Sequence, residues 1–320
     1  MYETLSLFEQ PELEFRKRLA AHLRKLAERD LYLGTSSWKY EGWLGQVYSP
    51  ERYYAQGRFS RKRFEQECLL EYAETFRIVS GDFAFYQFPT SEFWRRLFGQ
   101  VAPPFQFAFK VPEDITLSIF PSHVRYRQRA GRPNRAFLDA ELLRTQFLDL
   151  LRPYSDRVAL LILEFAASVG TAFSRPQDFA EAIAIFFSVL PKDFRYAVEL
   201  RQRRFLDYSY FHALRDNGVA HVFNSWTDIP GIEEQAGHPD AFTADFTAAR
   251  ALLRPGRTYD ESVRMFSPYQ EIREPNAEVR AALRQLLIRS RNRAEPSYIF
   301  VNNRLEGFAP GTIAAVAEGL

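Results

Sequence analysis

Residues 158–165 read Val158-Ala159-Leu160-Leu161-Ile162-Leu163-Glu164-Phe165, an apolar run that a single carboxylate interrupts near its end. Short, continuous apolar runs of this kind are typical of strands in a parallel sheet that is covered on both faces. A helix-like segment, 176–190, separates this run from a second one, 194–200, which also carries a carboxylate near its end, Glu199. A strand, a helix and a second strand in this order predict a parallel βαβ unit.

The same alternation of strand and helix extends through the whole chain. We predict strands at 30–36, 78–79, 105–111, 158–165, 194–200, 219–223, 241–246 and 297–302, with helices between them. Eight such units favour an α/β protein that is a single (β/α)₈ TIM barrel over an open, doubly wound sheet. No Gly-x-Gly-x-x-Gly turn follows the first strand, which argues against a dinucleotide, and we expect no cofactor.

Two segments depart from this repeating pattern. Residues 1–30 contain an amphipathic pattern over 11–29 and are predicted to form a helical extension packed on the barrel, which occupies 31–320. Residues 249–275, after the seventh strand, are predicted to form a long irregular loop, and loops of that length in compact domains are usually functional.

The amino-acid composition limits which classes of function the protein can have. The chain has 42 basic and 40 acidic residues, which excludes an overall polyanion-binding composition but allows a local basic patch. Its one cysteine, Cys68, cannot form an internal disulfide. Neither a leader-like N-terminus nor a membrane-spanning apolar run is present, so we expect a cytoplasmic protein that does not enter the membrane. Nothing in the sequence indicates the oligomeric state.

In a TIM barrel the functional side chains lie at the carboxyl ends of the strands. Glu199 and Arg201 alternate at strand spacing and therefore point to the same side, where Glu199 is a candidate acid, base or hydroxyl-holding group. Lys110, at the end of the third strand, and Asp82, after the second, are the other catalytic candidates. The alternatives are structural ion pairs, between Glu199 and Arg201 and between Lys110 and either Glu164 or Asp82.

Aromatic and amide side chains supply candidate substrate contacts. Trp38, Tyr40 and Trp43 follow the first strand and are predicted to stack on a sugar or base, or alternatively to pack within their loop. Further candidates for the substrate site lie at the ends of other strands: Tyr86, Arg201, Asn302 and Asn303.

The segment 123–135, after the third strand, is rich in arginine. It contains Arg125, Arg127 and Arg129 beside Tyr126, and we predict that it forms an anion-binding site with Arg204 and Arg304. The predicted partner is a small anionic ligand or a single-stranded nucleic acid, and the alternative is a solvated loop. Metal binding is disfavoured, because the five histidines are scattered and none has His-x-x-x-His or Glu-x-x-His spacing.

Several motifs, taken in order, resemble the YecE-like family, domain of unknown function 72, from about residue 31 to 315. The matching segments are Gly34-Thr35-Ser36-Ser37-Trp38-Lys39-Tyr40 with Trp43, Phe85-Tyr86-Gln87-Phe88-Pro89, Phe107-Ala108-Phe109-Lys110, Ala197-Val198-Glu199-Leu200-Arg201, and Val301-Asn302-Asn303. The resemblance implies a TIM barrel and brings no established reaction. The chain departs from the family pattern Val-Glu-x-Asn at Val79-Ser80-Gly81-Asp82, and from its histidine after Ile-Thr at Leu117.

These features favour an enzyme that acts on a phosphorylated or otherwise anionic substrate at the barrel mouth. Two alternatives stay open: a non-catalytic protein that binds single-stranded nucleic acid, and an inactive barrel that serves as an interaction scaffold.

Overall fold

A computed structural model of the chain describes residues 13–166 and 168–320. Eight parallel strands form a closed barrel: β1 (Leu31–Thr35), β2 (Ile78–Gly81), β3 (Gln106–Lys110), β4 (Val158–Phe165), β5 (Tyr196–Leu200), β6 (Ala220–Ser225), β7 (Thr247–Ala251) and β8 (Ser297–Val301). Each strand pairs with the next along the chain, and β1 closes the ring by pairing with β8 as well as with β2. The predicted (β/α)₈ TIM barrel is confirmed.

Helices surround the barrel on its outer side. The longer ones are α1 (Glu14–Ala27), α2 (Arg61–Thr75), α3 (Ser91–Phe98), α4 (Pro176–Ser188), α5 (Tyr208–Asp216), α6 (Tyr259–Phe266), α7 (Ala277–Arg293) and α8 (Ala309–Ala317). Between β3 and β4 a π-helical turn, Arg144–Leu148, joins Ala140–Leu143 to Asp149–Leu151. Four shorter helices are Pro50–Tyr53, Glu113–Thr116, Val169–Ala172 and Ile232–Ala236. Among the helices of the described ranges, none combines the length and apolar character that crossing a bilayer requires.

Side-chain alternation along the strands produces two apolar layers. Outward residues such as Phe107, Phe109 and Leu161 join the large core between the strands and the helices. Inward residues form a separate cluster inside the barrel, where the large side chain of Phe300 lies among small ones such as Ala197 and Ala248. Towards the carboxyl ends of the strands the inward positions become polar, and this change of character creates the site described below.

The seventh strand lies later in the chain than predicted. Residues 241–246 have no regular structure, and the strand is Thr247–Ala251. The aromatic residues Phe242 and Phe246 gave the earlier segment a strand-like pattern, although Phe246 packs at the bottom of the barrel interior. The observed strand is rich in alanine, a residue with low strand propensity, which is why the sequence pattern did not indicate it.

The segment after this strand is less irregular than predicted. Residues 249–251 belong to β7, and α6 occupies the middle of the predicted loop. This helix begins at a capping box in which Thr258 and Glu261 satisfy each other's backbone N–H groups. The Thr-x-x-Glu spacing was therefore an available helix signal.

The N-terminal extension contacts the barrel through α1, which packs against α2, β1 and α8. Arg16 of α1 lies 2.6 Å from the buried carboxylate of Glu71 in α2. Glu71 also accepts hydrogen bonds from the backbone and hydroxyl of Ser49 and from the hydroxyl of Tyr53. Residues 1–12 of the predicted extension lie outside the described residues.

Candidate active site at the mouth of the barrel

Glu199 is fully buried at the end of β5 between two arginines. Arg250, from β7, lies 2.5 Å from one carboxylate oxygen of Glu199. Arg201 approaches the other oxygen, with Nε at 2.8 Å and a terminal nitrogen at 2.7 Å. The guanidinium of Arg201 also covers the ring of Trp226 at 3.8 Å. The predicted pairing of Glu199 with Arg201 is present, and Arg250 adds a second cation.

Glu164, at the end of β4, links Arg201 to Lys110 at the end of β3. One of its oxygens lies 2.6 Å from the Lys110 ammonium and 2.7 Å from Arg201. Lys110 in turn lies 3.9 Å from Asp82 and 3.7 Å from the centre of the Phe85 ring. Lys110 therefore pairs with both of the carboxylates that the sequence offered as partners, and more closely with Glu164.

Three cations and three carboxylates thus form one charge-balanced cluster: Lys110, Arg201, Arg250, Asp82, Glu164 and Glu199. Removing each ion from water costs several kcal/mol, and apolar residues of the same volume often stabilise a core equally well. Stability alone therefore does not account for this cluster. Buried, mutually coupled charges at the mouth of a barrel are a frequent feature of active sites.

The surroundings of Glu199 keep its carboxyl group ionised. Burial raises the pKa of this group, but Arg250, Arg201 and Lys110 together lower it further, to about 2. The same interactions raise the pKa of Arg250 against the opposing effect of its own burial. Both groups are charged across the physiological pH range.

Asp82 is the most exposed member of the cluster. Its side chain is 35% exposed, whereas those of Glu164 and Glu199 are almost fully covered. Its ion pairs are also the loosest, at 3.4 Å to Arg250 and 3.9 Å to Lys110. Asp82 is thus the carboxylate that a ligand in the mouth can reach.

The predicted aromatic contacts separate into two environments. Trp38 lines a cleft beside Asp82, together with the half-exposed Tyr86. Trp43 is fully buried against Tyr48 and Tyr72, which agrees with the packing alternative. Tyr40 packs against Trp43, and burial raises the pKa of its hydroxyl to about 12.

Asn302 and Asn303 lie directly after β8 and are buried. Both use their amide oxygens to hold the following loop, since Asn302 accepts from the Arg304 backbone and Asn303 from that of Ala309. The amide nitrogen of Asn303 has no acceptor within the described residues.

The arginine-rich segment is only partly free to bind an anion. Arg125 lies 2.7 Å from Glu113, and its guanidinium covers the ring of Tyr86 at 4.5 Å. Arg129 lies 2.6 Å from Asp114. Arg127 is exposed and forms no ion pair within the described part of the chain.

The other two predicted anion contacts lie on separate loops. Arg204 donates to the backbone carbonyls of Gly170 and Phe173, at 3.1 and 2.5 Å. Arg304 covers the ring of Tyr259 at 4.3 Å. The five predicted arginines therefore have different partners and do not form a single basic surface.

Within residues 13–166 and 168–320, no three His, Cys, Asp or Glu side chains are grouped so that they could hold a metal ion. His221 is buried in β6, where its ring nitrogens lie 3.0 Å from the hydroxyl of Tyr210 and 3.0 Å from the amide oxygen of Gln235. Burial lowers the pKa of His221 to about 4. It is a satisfied core histidine.

Arg250 is the site residue that the sequence interpretation missed, because the seventh strand was placed at 241–246. The available signal was a single arginine in the run Thr247-Ala248-Ala249-Arg250-Ala251-Leu252-Leu253, where its position among small and apolar residues indicates burial. A buried arginine requires a carboxylate partner, and Glu164 and Glu199 were already identified on other strands.

The family model described as "Protein of unknown function DUF72" matches residues 32–320. The chain belongs to the DUF72 family. The resemblance carried by the motifs around Trp38, Lys110, Glu199 and Asn302 is thereby confirmed. None of the curated proteins matches the chain.

Solved structures of DUF72 proteins share the barrel at low sequence identity. A DUF72 family protein from Thermotoga maritima MSB8 is 19% identical, with a TM-score of 0.58 over 90% of this chain and 98% of its own. A DUF72 family protein from Enterococcus faecalis V583 is 16% identical, with a TM-score of 0.59 over 90% of this chain and 94% of its own. At these identities the likeness shows the fold alone.

The pairing of Glu199 with Arg250 predicts a strong energetic coupling between them. We expect Arg250→Met to lower the free energy of unfolding by about 3 kcal/mol, because it leaves Glu199 with one fewer cation in the barrel interior. In the double variant Glu199→Gln/Arg250→Met, the loss of unfolding free energy should be smaller than the sum of the two single losses. We expect this difference, the coupling energy, to exceed about 1 kcal/mol. Urea denaturation followed by circular dichroism measures both quantities.

The control cycle uses Glu92 and Arg95, an exposed ion pair one turn apart on α3. We expect no measurable coupling there, since solvent screens the pair. Additive losses at Glu199 and Arg250 would show that the two side chains do not interact as the structure places them.

Two buried groups predict how stability depends on pH. On folding, the pKa of His221 falls from 6.5 to about 4, and that of Glu199 falls from 4.5 to about 2. Below pH 6.5 for His221, and below pH 4.5 for Glu199, the unfolded state therefore binds more protons than the folded state. Stability should therefore decrease as pH falls from 6.5 towards 4 through His221, by up to about 3 kcal/mol, and further below 4.5 through Glu199. Urea titrations at a series of pH values measure this dependence. His221→Gln should reduce the change in unfolding free energy between pH 6.5 and pH 4, whereas His123→Gln, at an exposed position, should not. An equal slope in wild type and His221→Gln would contradict this assignment.

Proposed function

We propose that this DUF72 protein is an enzyme that acts on a small anionic molecule at the mouth of the barrel, with Asp82 and Lys110 as its catalytic residues. The observation that carries the proposal is the buried, charge-balanced cluster of six side chains, of which Asp82 is the most exposed member and has the longest ion pairs. Its position at the carboxyl ends of the strands is where barrel enzymes carry out their chemistry.

Asp82 is suited to take a proton from a bound substrate. It is a carboxylate within reach of the solvent-filled mouth, and its pairs with Arg250 and Lys110 are long enough for a substrate group to enter beside it. When Asp82 accepts a proton, negative charge develops on the substrate. Lys110 lies next to that position and stabilises the charge electrostatically.

The two inner carboxylates of the cluster, Glu164 and Glu199, are positioning residues. Glu199 is a weak base, because its pKa lies at about 2, and a base is most effective when its pKa is near the working pH. Glu199 and Glu164 instead hold the cations in place: Arg250 through Glu199, and Lys110 and Arg201 through Glu164. This assignment replaces the expectation that Glu199 is the acid or base.

An anionic substrate fits the mouth because cations lie beside the exposed Asp82. Lys110 and Arg250 lie 3.9 and 3.4 Å from Asp82, and the side chain of Arg201 is 14% exposed. A phosphate or carboxylate that takes over the long contacts of Asp82 would bind to these cations.

We expect wild-type protein to convert at least one member of a mixture of sugar phosphates, nucleoside monophosphates and hydroxy acids, followed by mass spectrometry. Asp82→Asn should lower the rate by at least about 100-fold, because it removes the proton acceptor and preserves the shape. Lys110→Met should lower it comparably, because it removes the charge that stabilises the transition state.

Asp240→Asn is the matched control. Asp240 pairs with Arg215 in the segment that leads into β7, at the opposite end of the barrel from the mouth. We expect it to keep the wild-type rate. An Asp82→Asn protein as active as the wild type would rule out the proposed role of Asp82, and a mixture unchanged by the wild type would count against catalysis on these substrate classes.

Binding of single-stranded nucleic acid is a second candidate function, and the arginine-rich segment favours it. Arg127, Arg132 and Arg135 are exposed, and none of their guanidinium groups forms an ion pair with the described residues. The paired Arg125 lies over the ring of Tyr86, which is a half-exposed stacking surface. Backbone phosphates and bases would find their usual partners here.

Fluorescence anisotropy with labelled single-stranded RNA tests this candidate at several salt concentrations. If the segment binds phosphates, replacing Arg127, Arg132 and Arg135 by alanine should weaken binding and reduce the slope of log K against log salt by about 2. A control triple variant at Arg95, Arg175 and Arg264 should retain the wild-type slope. Absence of binding at low salt would remove this candidate.

A further inference from the structure

A cleft of about 640 Å³ opens beside the charged cluster. It lies between the residues that follow β1, those that follow β2, and the helices α2 and α3. Asp82 contributes to its lining and is also the most exposed member of the cluster. A molecule that reacts at Asp82 therefore has this cleft available for the rest of its structure.

The covered part of the cleft lining is mainly apolar. The covered and half-covered residues are Trp38, Phe83, Phe93 and Leu97, with Ser37, Asp82 and Gln100 as the polar groups among them. The exposed residues at the rim are Tyr86, Lys39, Glu65, Gln66 and Arg96, of which the charged ones carry both signs. An apolar ring can therefore lie against the covered residues, while polar groups of the same molecule stay at the rim in contact with water.

The aromatic side chains of the cleft support one another in fixed orientations. Trp38 meets Phe83 edge-on at 5.9 Å, and Phe83 contacts Phe93 at 5.0 Å. On the open side, Arg125 covers the ring of Tyr86 at 4.5 Å. A planar ring that enters the cleft finds both faces and edges of aromatic groups already in place.

We infer that this cleft binds an aromatic ring of the substrate, such as a nucleobase, while the reacting part of the same molecule lies at Asp82. The inference rests on the proposed function and names its substrate class as a nucleotide-like anion. A sugar gains less here, because among the covered and half-covered residues only Ser37, Asp82 and Gln100 offer partners for its hydroxyl groups.

Three phosphate monoesters test the ring subsite by isothermal titration calorimetry: adenosine 5′-monophosphate, phenyl phosphate and ribose 5-phosphate. We expect the two aromatic probes to bind at least about tenfold more tightly than ribose 5-phosphate, since stacking contributes on the order of 1–3 kcal/mol per ring. Equal affinities, or no binding of either aromatic probe at millimolar concentration, would overturn the inference.

Two variants locate the ring within the cleft. Gln66→Trp places an indole at the rim from an exposed position on α2, and it should abolish the preference for the aromatic probes. Glu67→Trp, at the next position of α2 and outside the cleft lining, is the matched control and should retain that preference. Identical affinities in wild type and Gln66→Trp would show that the ring binds elsewhere.

Turnover reports on the catalytic role of Asp82, and the preference for aromatic probes reports separately on the ring subsite. Asp82→Asn should lose turnover and retain the preference for aromatic probes, whereas Gln66→Trp should lose that preference. Aromatic binding with an active Asp82→Asn protein would refute only the catalytic role of Asp82. An inactive Asp82→Asn protein without aromatic preference in the wild type would refute only the ring subsite.

Discussion

The ion pair between Glu199 and Arg250 is the constraint on which the barrel mouth depends. Both side chains are almost completely buried, so each requires the other, and the 2.5 Å contact joins β5 to β7 across the interior. Glu164, at the end of β4, extends the same requirement to Arg201 after β5 and to Lys110 on β3. A change at any one of these positions leaves an uncompensated charge in a site from which water is largely excluded.

This balance also decides where a ligand meets the protein. The inner carboxylates are engaged by close cations, and these cations keep Glu199 ionised across the physiological pH range. Asp82 has longer contacts and more solvent, and the aromatic cleft begins beside it. The arginines at the mouth are thus neutralised by the carboxylates of the cluster. The proposed reactive residue is Asp82, the member of the cluster with the longest ion pairs.

The arginine-rich segment shows why composition alone overstates an anion site. Two of its arginines are neutralised by Glu113 and Asp114, which lie on the short helix directly after β3. Arg125 spans the distance to Tyr86 and so connects the loop after β3 with the loop after β2. Only a three-dimensional arrangement reveals which arginines keep an available guanidinium, because their acidic partners are separated from them in the chain.

The sequence by itself indicated the barrel, since apolar runs such as 158–165 alternate with helices as a covered parallel sheet requires, and eight such units favour a closed barrel over an open sheet. It also indicated Glu199, Arg201, Lys110 and Asp82, because side-chain alternation and strand ends follow from local geometry. The tertiary structure decided the position of β7 and thus the role of Arg250, which the alanine-rich strand concealed. It also decided the depth of Trp43 and the exposure of Asp82, because burial depends on neighbours that are distant in the chain and that no local pattern specifies.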